Sequence, residues 1–319
     1  MANDPLQILP KDYLETWNGL LFAVLSARRE SGKIPAYLRY RRNPEGSLRK
    51  LETQEAKRLL ERDFPGYLFA SETTGLTLQG VAPEDILKHH SATLATQNLM
   101  ERESRDPVLM AAKHLIQSVE AFGMERSGIG VTGSILIGAQ SENSDIDLLV
   151  RSPEDFERLR CAIRFGIEAG VIESLGEADW RKAFARRKSP LSFDEFVFHE
   201  ARKDNKGMID GIKFDLTLSE AFPEVLSGVR RQLGPMRLEA VVTRDEAAFG
   251  FPARYAVAHP QVSEVVVFSQ SYVGQARTTE RIEAWGDLEE TLEGRYRLVV
   301  GRDREASGHS LRVLPESWS

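Results

Sequence analysis

The apolar-rich runs 19–29 and 33–42 flank a tight Ser31-Gly32 turn, which predicts two strands joined as a hairpin. The pattern then changes. Residues 53–63 repeat at helical spacing and stop at Pro65-Gly66. The run 76–81 predicts another strand, and 83–90 predicts a short helix. Residues 1–104 therefore read as a small, β-rich mixed α/β domain.

From residue 105 the texture changes. Asp106 is placed to cap a helix with Pro107 at its first position. Val108, Ala112, Leu115, Ile116, Val119 and Phe122 then share one face, and Gly123 ends it. Short strands are expected at 128–132 and 145–151. Ser152-Pro153-Glu154-Asp155 is a capping box opening a helix that stops at Gly170. Helical stretches at 177–188 and 193–199 precede a strand at 208–218. This mixture defines a central α/β or α+β domain over 105–235. Beyond it, strand-like runs at 238–243, 254–258, 264–268, 281–285, 295–300 and 311–314 are separated by turn residues. They predict a small all-β barrel or sandwich over 236–319, and the expected fold class is α+β overall.

Composition sharpens this only at the margins. The 319 residues are 41% hydrophobic and 28% charged, as expected of a packed globular protein. A net charge of −6 argues against coating nucleic acid by charge alone, but not against a local basic groove. The C-terminal region, with ten basic against thirteen acidic residues, is itself acidic. The single cysteine, Cys161, excludes an intramolecular disulfide and a cysteine zinc site, and fits a reducing cytoplasm. No basic start followed by an apolar core marks a signal peptide, and the longest apolar run is too short to cross a bilayer. The expectation is a cytoplasmic protein without a membrane partner. Its oligomeric state is open.

The chemistry concentrates in GIGVTGSILIGAQSENSDIDLLV, residues 128–150. Its opening spells G-x-G-x-x-G, a dinucleotide fingerprint. That reading needs a strand before Gly128 and a long helix after Gly133. Met124–Ser127 is turn-like, and any helix starting at Ser134 soon meets Gly138 and a polar loop, so it fails. The closing residues carry D-x-D on an apolar strand. Asp145 and Asp147 project from one face while Ile146, Leu148 and Val150 anchor the other. Two carboxylates about 7 Å apart repel unless a cation sits between them, and hard divalent ions such as Mg²⁺ take such ligands. Gly133-Ser134 in the preceding turn allows backbone N–H groups and a hydroxyl to approach a phosphate. A later strand-like run, Gly211–Leu218, offers a third acid, Asp215, with Lys213 and Thr217 on its face; Asp210 is a nearby alternative.

Gly133-Ser134, ten intervening residues, then Asp145-Ile146-Asp147-Leu148, with Asp215 on a later strand, resemble the DNA polymerase β-type nucleotidyltransferase superfamily. The resemblance covers about 105–220. The β-rich flanks are similar to those of a group of predicted archaeal nucleotidyltransferases. One position departs from the pattern: Thr132 stands where an apolar residue is commoner. The resemblance implies that Gly133 and Ser134 hold the β/γ-phosphates of a nucleoside triphosphate. It implies that Asp145, Asp147 and Asp215 bind two Mg²⁺ (or Mn²⁺), and that Asp215 helps deprotonate an acceptor hydroxyl. Lys213 is a candidate phosphate ligand, set against an ordinary solvated strand residue.

Two basic stretches are candidate acceptor contacts. Tyr37, Arg39 and Arg41 are expected on one strand face, suited to stacking and phosphate contact with single strands. Arg186 and Arg187 lie on a basic helical stretch with Arg181, Lys182 and Lys188. A solvated surface is the plain alternative for either stretch. The expected acceptor is an RNA or DNA end. Rival readings are transfer to a protein hydroxyl, a small-molecule or cyclic product, and a catalytically silent scaffold that binds nucleotide or nucleic acid.

Overall fold

A computed structural model of the chain describes residues 7–71, 76–187, 190–221, 226–301 and 308–315. They fall into two compact units, 1–173 with 207–222, and 174–206 with 223–319. The architecture is α+β, with three sheets.

The first unit opens with a sheet of seven strands: β1 (Tyr13–Thr16), β2 (Leu20–Val24), β3 (Ile34–Arg42), β4 (Leu48–Lys50), β5 (Leu68–Ala70), β6 (Thr77–Val81) and β7 (Ile86–His90). Their order is β5-β6-β3-β2-β1-β7, with β4 beside β3. The expected hairpin is β2–β3. Its tip closes through Ser31 (φ 49°) and Gly32 (φ 77°), the left-handed pair that matches strand twist. One sheet face buries Leu14, Phe22, Val24, Ala36 and Leu38 against α1 (Thr53–Asp63) through Leu59 and Leu60. The other face packs Tyr13, Leu21 and Tyr40 against Leu136, Ile137 and Ala139. The N-terminal sheet thus abuts the segment that follows Gly133-Ser134.

Residues 83–90 are not a helix. Pro83–Asp85 make one 3-10 turn, and Ile86–His90 form β7 along β1. Helical spacing lost here to ladder pairing and to two side-chain anchors, His89 on Asp12 and His90 on Glu15.

Helices α2 (Ala92–Glu101) and α3 (Pro107–Ala121) follow. Asp106 caps α3 as expected, accepting from the N–H groups of Val108 and Leu109, and Gly123 (φ 95°) ends it. Next come β8 (Gly130–Val131), the short α4 (Gly133–Leu136), β9 (Ile146–Val150) and α5 (Pro153–Glu168), whose cap Ser152 accepts from Asp155 N–H. Four residues of α4 leave no room for a dinucleotide helix.

After α6 (Glu177–Ala185) and α7 (Phe193–Ala201), the chain returns through β10 (Lys206–Ile209) and β11 (Ile212–Leu218). The strand expected over 208–218 is therefore a hairpin. Asp210 (φ 51°) and Gly211 (φ 73°) both take left-handed conformations, the Asp-Gly signature of a two-residue turn. The central sheet runs β10-β11-β9-β8, with β9 and β11 parallel.

The second unit holds α6, α7 and six strands: β12 (Val229–Arg244), β13 (Ala253–Ala258), β14 (Val262–Val267), β15 (Arg281–Thr291), β16 (Tyr296–Val300) and β17 (Ser310–Val313). Their order is β12-β13-β14-β16-β15-β17, and β12 also pairs with β15. The pairings of β12, β13, β14, β16 and β15 thus return on themselves in a ring. Inside it Leu238, Val242, Tyr255, Val265, Ile282, Leu298 and Leu311 share one core. Among the described residues no helix is long and apolar enough to cross a membrane.

Candidate active site

The acids meet because two parallel strands are in register. Phe214, Leu216 and Leu218 of β11 are buried, as are Ile146, Leu148 and Val150 of β9. The alternate residues therefore share the opposite face. Asp215 stands directly beside Asp147 in the ladder, which puts their backbones about 5 Å apart. Asp145 precedes β9 by one residue and Lys213 lies two before Asp215. The Lys213 ammonium reaches both acids, 2.5 Å from Asp215 Oδ2 and 3.5 Å from Asp145 Oδ2. Asp210, in the hairpin turn, instead pairs with His114 at 2.9 Å. Register, not proximity in sequence, brings Asp215 to the pair.

Gly133 sits over this cluster. Its φ is +66°, and a β-carbon there would lie 2.2 Å from Asp147 Oδ2. Only a residue without a side chain permits that approach. The turn is tied to β9, since Thr132 N–H donates to Asp147 O at 3.0 Å. Behind the turn, Gln140 Nε2 donates to Asp106 Oδ2 at 3.0 Å and holds the polar loop to the start of α3.

Electrostatics mark Asp147 as the stressed member. Burial, then the neighbouring Asp215 charge, pushes its carboxyl up to about 6. Lys213 responds oppositely. Burial disfavours its ammonium, but the Asp215 and Asp145 carboxylates outweigh burial and hold it charged above its ordinary range. Among the described residues no three acid, histidine or cysteine side chains form a ready metal cage. Lys213 fills the place between Asp145 and Asp215 that a cation would take. The donor set fits hard cations: three carboxylates on one face, one of them, Asp147, raised in proton affinity by burial and by the neighbouring Asp215 charge.

Several side chains near the acids carried no signal in the sequence. The segment 9–12 lies alongside: Thr132 Oγ1 donates to Lys11 O at 2.7 Å, and Lys11 is the leading positive influence on Asp147. Tyr13 and Tyr40 also feel the Asp147 charge, and burial pushes both phenols up.

The candidate acceptor residues separate. A β-bulge shifts the β2–β3 register between Leu21 and Phe22, so alternation breaks at Arg39. Tyr37 and Tyr40 consequently share the face toward the Gly133-Ser134 segment, and the Arg39 guanidinium lies 5.5 Å from the Tyr37 ring centre, beside Tyr13. Arg41 is exposed and its charge acts on Asp63, at the end of α1. The expected common face of Tyr37, Arg39 and Arg41 does not form. Arg186 and Arg187 belong to the second unit. Arg186 is exposed, while Arg187 donates to Ser271 Oγ at 3.2 Å. Arg181 pairs with Glu177, and Lys188 lies outside the described residues.

The site is thus a glycine-serine turn pressed onto a strand carboxylate, with a third acid in register on the next parallel strand. Residues 113–222 match the nucleotidyltransferase domain family, so the chain carries a nucleotidyltransferase domain of the polymerase β-type superfamily. A nucleotide is the substrate class this implies. The chain is similar over nearly its whole length to the uncharacterized protein MJ1086 of Methanocaldococcus jannaschii, 28% identical over 338 residues that cover 97% of this chain and 99% of that protein. No solved structure matches the chain significantly.

Proposed function

We propose that the protein moves a nucleoside monophosphate from a nucleoside triphosphate to an acceptor hydroxyl and releases pyrophosphate. The observation that carries this is the register of Asp147 against Asp215 beneath the bare Cα of Gly133. Asp145, Asp147 and Asp215 would hold Mg²⁺ or Mn²⁺. Such ions, when bound, neutralise phosphate charge and lower the pKa of a bound hydroxyl. The chain's own groups do the rest. The Gly133-Ser134 turn presents backbone N–H groups and a hydroxyl to the phosphates. Asp215 takes the proton of the attacking hydroxyl. The new O–P bond forms at the α-phosphorus as the bond to the β-bridging oxygen breaks, and pyrophosphate leaves with that electron pair. Lys213 now bridges Asp145 and Asp215; with those carboxylates holding ions, its ammonium would be available to a phosphate oxygen.

For the acceptor we infer an RNA or DNA end. The support is the Tyr37–Arg39 stack on the sheet face toward the site, an aromatic with a guanidinium that suits a splayed base and its phosphate. The test is transfer of label from each α-³²P nucleoside triphosphate, with Mg²⁺ or Mn²⁺, to single-stranded RNA or DNA. Asp145→Ala with Asp147→Ala is the control. Label on the oligonucleotide that the double variant abolishes is the expected result. Label on protein would overturn the nucleic-acid acceptor alone. No label and no pyrophosphate under any condition would overturn the transfer reaction.

A further inference from the structure

Lys11 meets the site through Thr132, 121 residues further along the chain, and the fold goes to some length to hold its backbone there. Its φ of +71° lies in the left-handed region, uncommon for a residue with a side chain. Contacts on both sides enforce it. Lys11 N–H donates to Val24 O at 2.8 Å, and its carbonyl accepts from Thr132 Oγ1 at 2.7 Å. Arg151 donates to Pro10 O at 2.5 Å, and Ser219 Oγ donates to the same oxygen at 3.3 Å. The buried Asp12 carboxylate accepts from Ala92 N–H at 3.0 Å and meets His89 at 2.8 Å and Arg151 at 3.3 Å. Residues 10–12 are thereby clamped to the ends of β9 and β11, the strands that carry the acids. Thr132, the one departure from the superfamily pattern, supplies the hydroxyl that anchors Lys11 beside Gly133.

The two lysines of the site are then unlike. Lys213 is bound to Asp215 and Asp145. Lys11 biases Asp147 more strongly than Lys213 does, yet among the described residues its ammonium forms no salt bridge and no hydrogen bond. The Lys11 backbone is clamped beside Thr132 while its ammonium, close enough to act on Asp147, engages no acid among the described residues, so its three donors stay available to an incoming anion. Next to a glycine-serine turn, that anion is a phosphate.

We propose that Lys11 is a ligand of the β/γ-phosphates of the nucleoside triphosphate and of the pyrophosphate that leaves. This rests on the transfer reaction proposed above. As the bond between the α-phosphorus and the bridging oxygen breaks, negative charge grows on the departing pyrophosphate, and the ammonium stabilises it without changing its own covalent state.

The test is equilibrium binding of the triphosphate, the matching monophosphate and inorganic pyrophosphate, with Mg²⁺ and no acceptor. The proteins are wild type, Lys11→Ala, Lys11→Gln, Lys11→Arg and the Asp145→Ala, Asp147→Ala double variant. Loss of one charge-assisted contact should weaken triphosphate and pyrophosphate about 10- to 100-fold in Lys11→Ala and Lys11→Gln. Monophosphate binding should be unchanged, and Lys11→Arg should recover most of the loss. Melting temperatures identify a variant that has merely unfolded, and the longer Gln side chain preserves packing if Ala does not. If triphosphate binds normally to both neutral variants, or if they lose monophosphate equally, the proposal fails while the transfer reading stands. If wild type binds no triphosphate at all, both fail.

Discussion

Gly133 shows most plainly what one residue decides. A methyl group there would need the space of Asp147 Oδ2, 2.2 Å away. Two costs follow from Gly133→Ala. The left-handed backbone penalises an L-residue by about 1–2 kcal/mol, and the Asp147 carboxylate must turn off its position. Displacing a reacting group by about 1 Å can cost roughly 100-fold in rate. Turnover should therefore fall at least about 100-fold, while the unfolding free energy falls by only about 1–2 kcal/mol. Steady-state kinetics beside urea unfolding measure both. Unchanged turnover would mean that Gly133 does not position Asp147. The G-S and D-x-D spacing made this residue legible, because the motif is local. Lys11 was not: Pro10-Lys11-Asp12 has no pattern in sequence, and its meaning arises only from Thr132 and Arg151.

At the scale of elements, α7 is fastened to β17 by the His199 imidazole and by the Arg312–Glu195 ion pair at 2.8 Å. His199 is fully buried. Its Nδ1 donates to Glu195 O at 2.6 Å, and Val313 N–H donates to Nε2 at 3.0 Å. With Nε2 accepting, the ring must be neutral and carry its proton on Nδ1. Burial lowers its pKa from 6.5 to about 4. A lowered histidine pKa means that the folded state binds fewer protons than the unfolded chain. Its stabilising contribution is complete above 6.5 and is lost as pH falls toward about 4. The loss amounts to about 3 kcal/mol. Urea unfolding of wild type and His199→Gln at pH 7.5 and 4.5 should show a smaller acid loss in the variant. Equal loss in both would show that His199 does not titrate with folding.

Elements also show where a sequence pattern runs out. Caps at Asp106 and Ser152 were legible because they involve residues two or three apart. The β10–β11 turn was legible in principle, since Asp210-Gly211 is the two-residue hairpin signature, yet the apolar run across it reads as one strand. The β3 bulge was not legible, because it depends on how β2 pairs. It separates Arg41 from Tyr37 and Arg39.

At the scale of the whole molecule, the N-terminal segment is part of the catalytic unit. Pro10, Lys11 and Asp12 contact Arg151, Ser219, Thr132 and Ala92. Asp12 and Arg151 are both shielded, so removing one partner strands a charge. Deleting residues 1–104 should therefore abolish triphosphate binding and lower stability, instead of altering only acceptor choice. Binding measurements on a circular-dichroism-checked fragment decide this. A folded fragment with wild-type triphosphate affinity would show that the segment is dispensable to the site.

What the chain determines by itself is whatever spacing along it can encode: helix caps, strand alternation, the Gly-Ser and Asp-x-Asp pair, and hence the reaction class. These are short-range, so neighbouring residues suffice. The tertiary structure decided what depends on pairing between distant segments. Parallel register chose Asp215 over Asp210, a bulge divided the basic strand, and five strands paired into a ring. A hydrogen bond spanning 121 residues seated Lys11 at the acids. Such contacts form only when the core has already fixed which backbones lie side by side, and no local pattern records that choice.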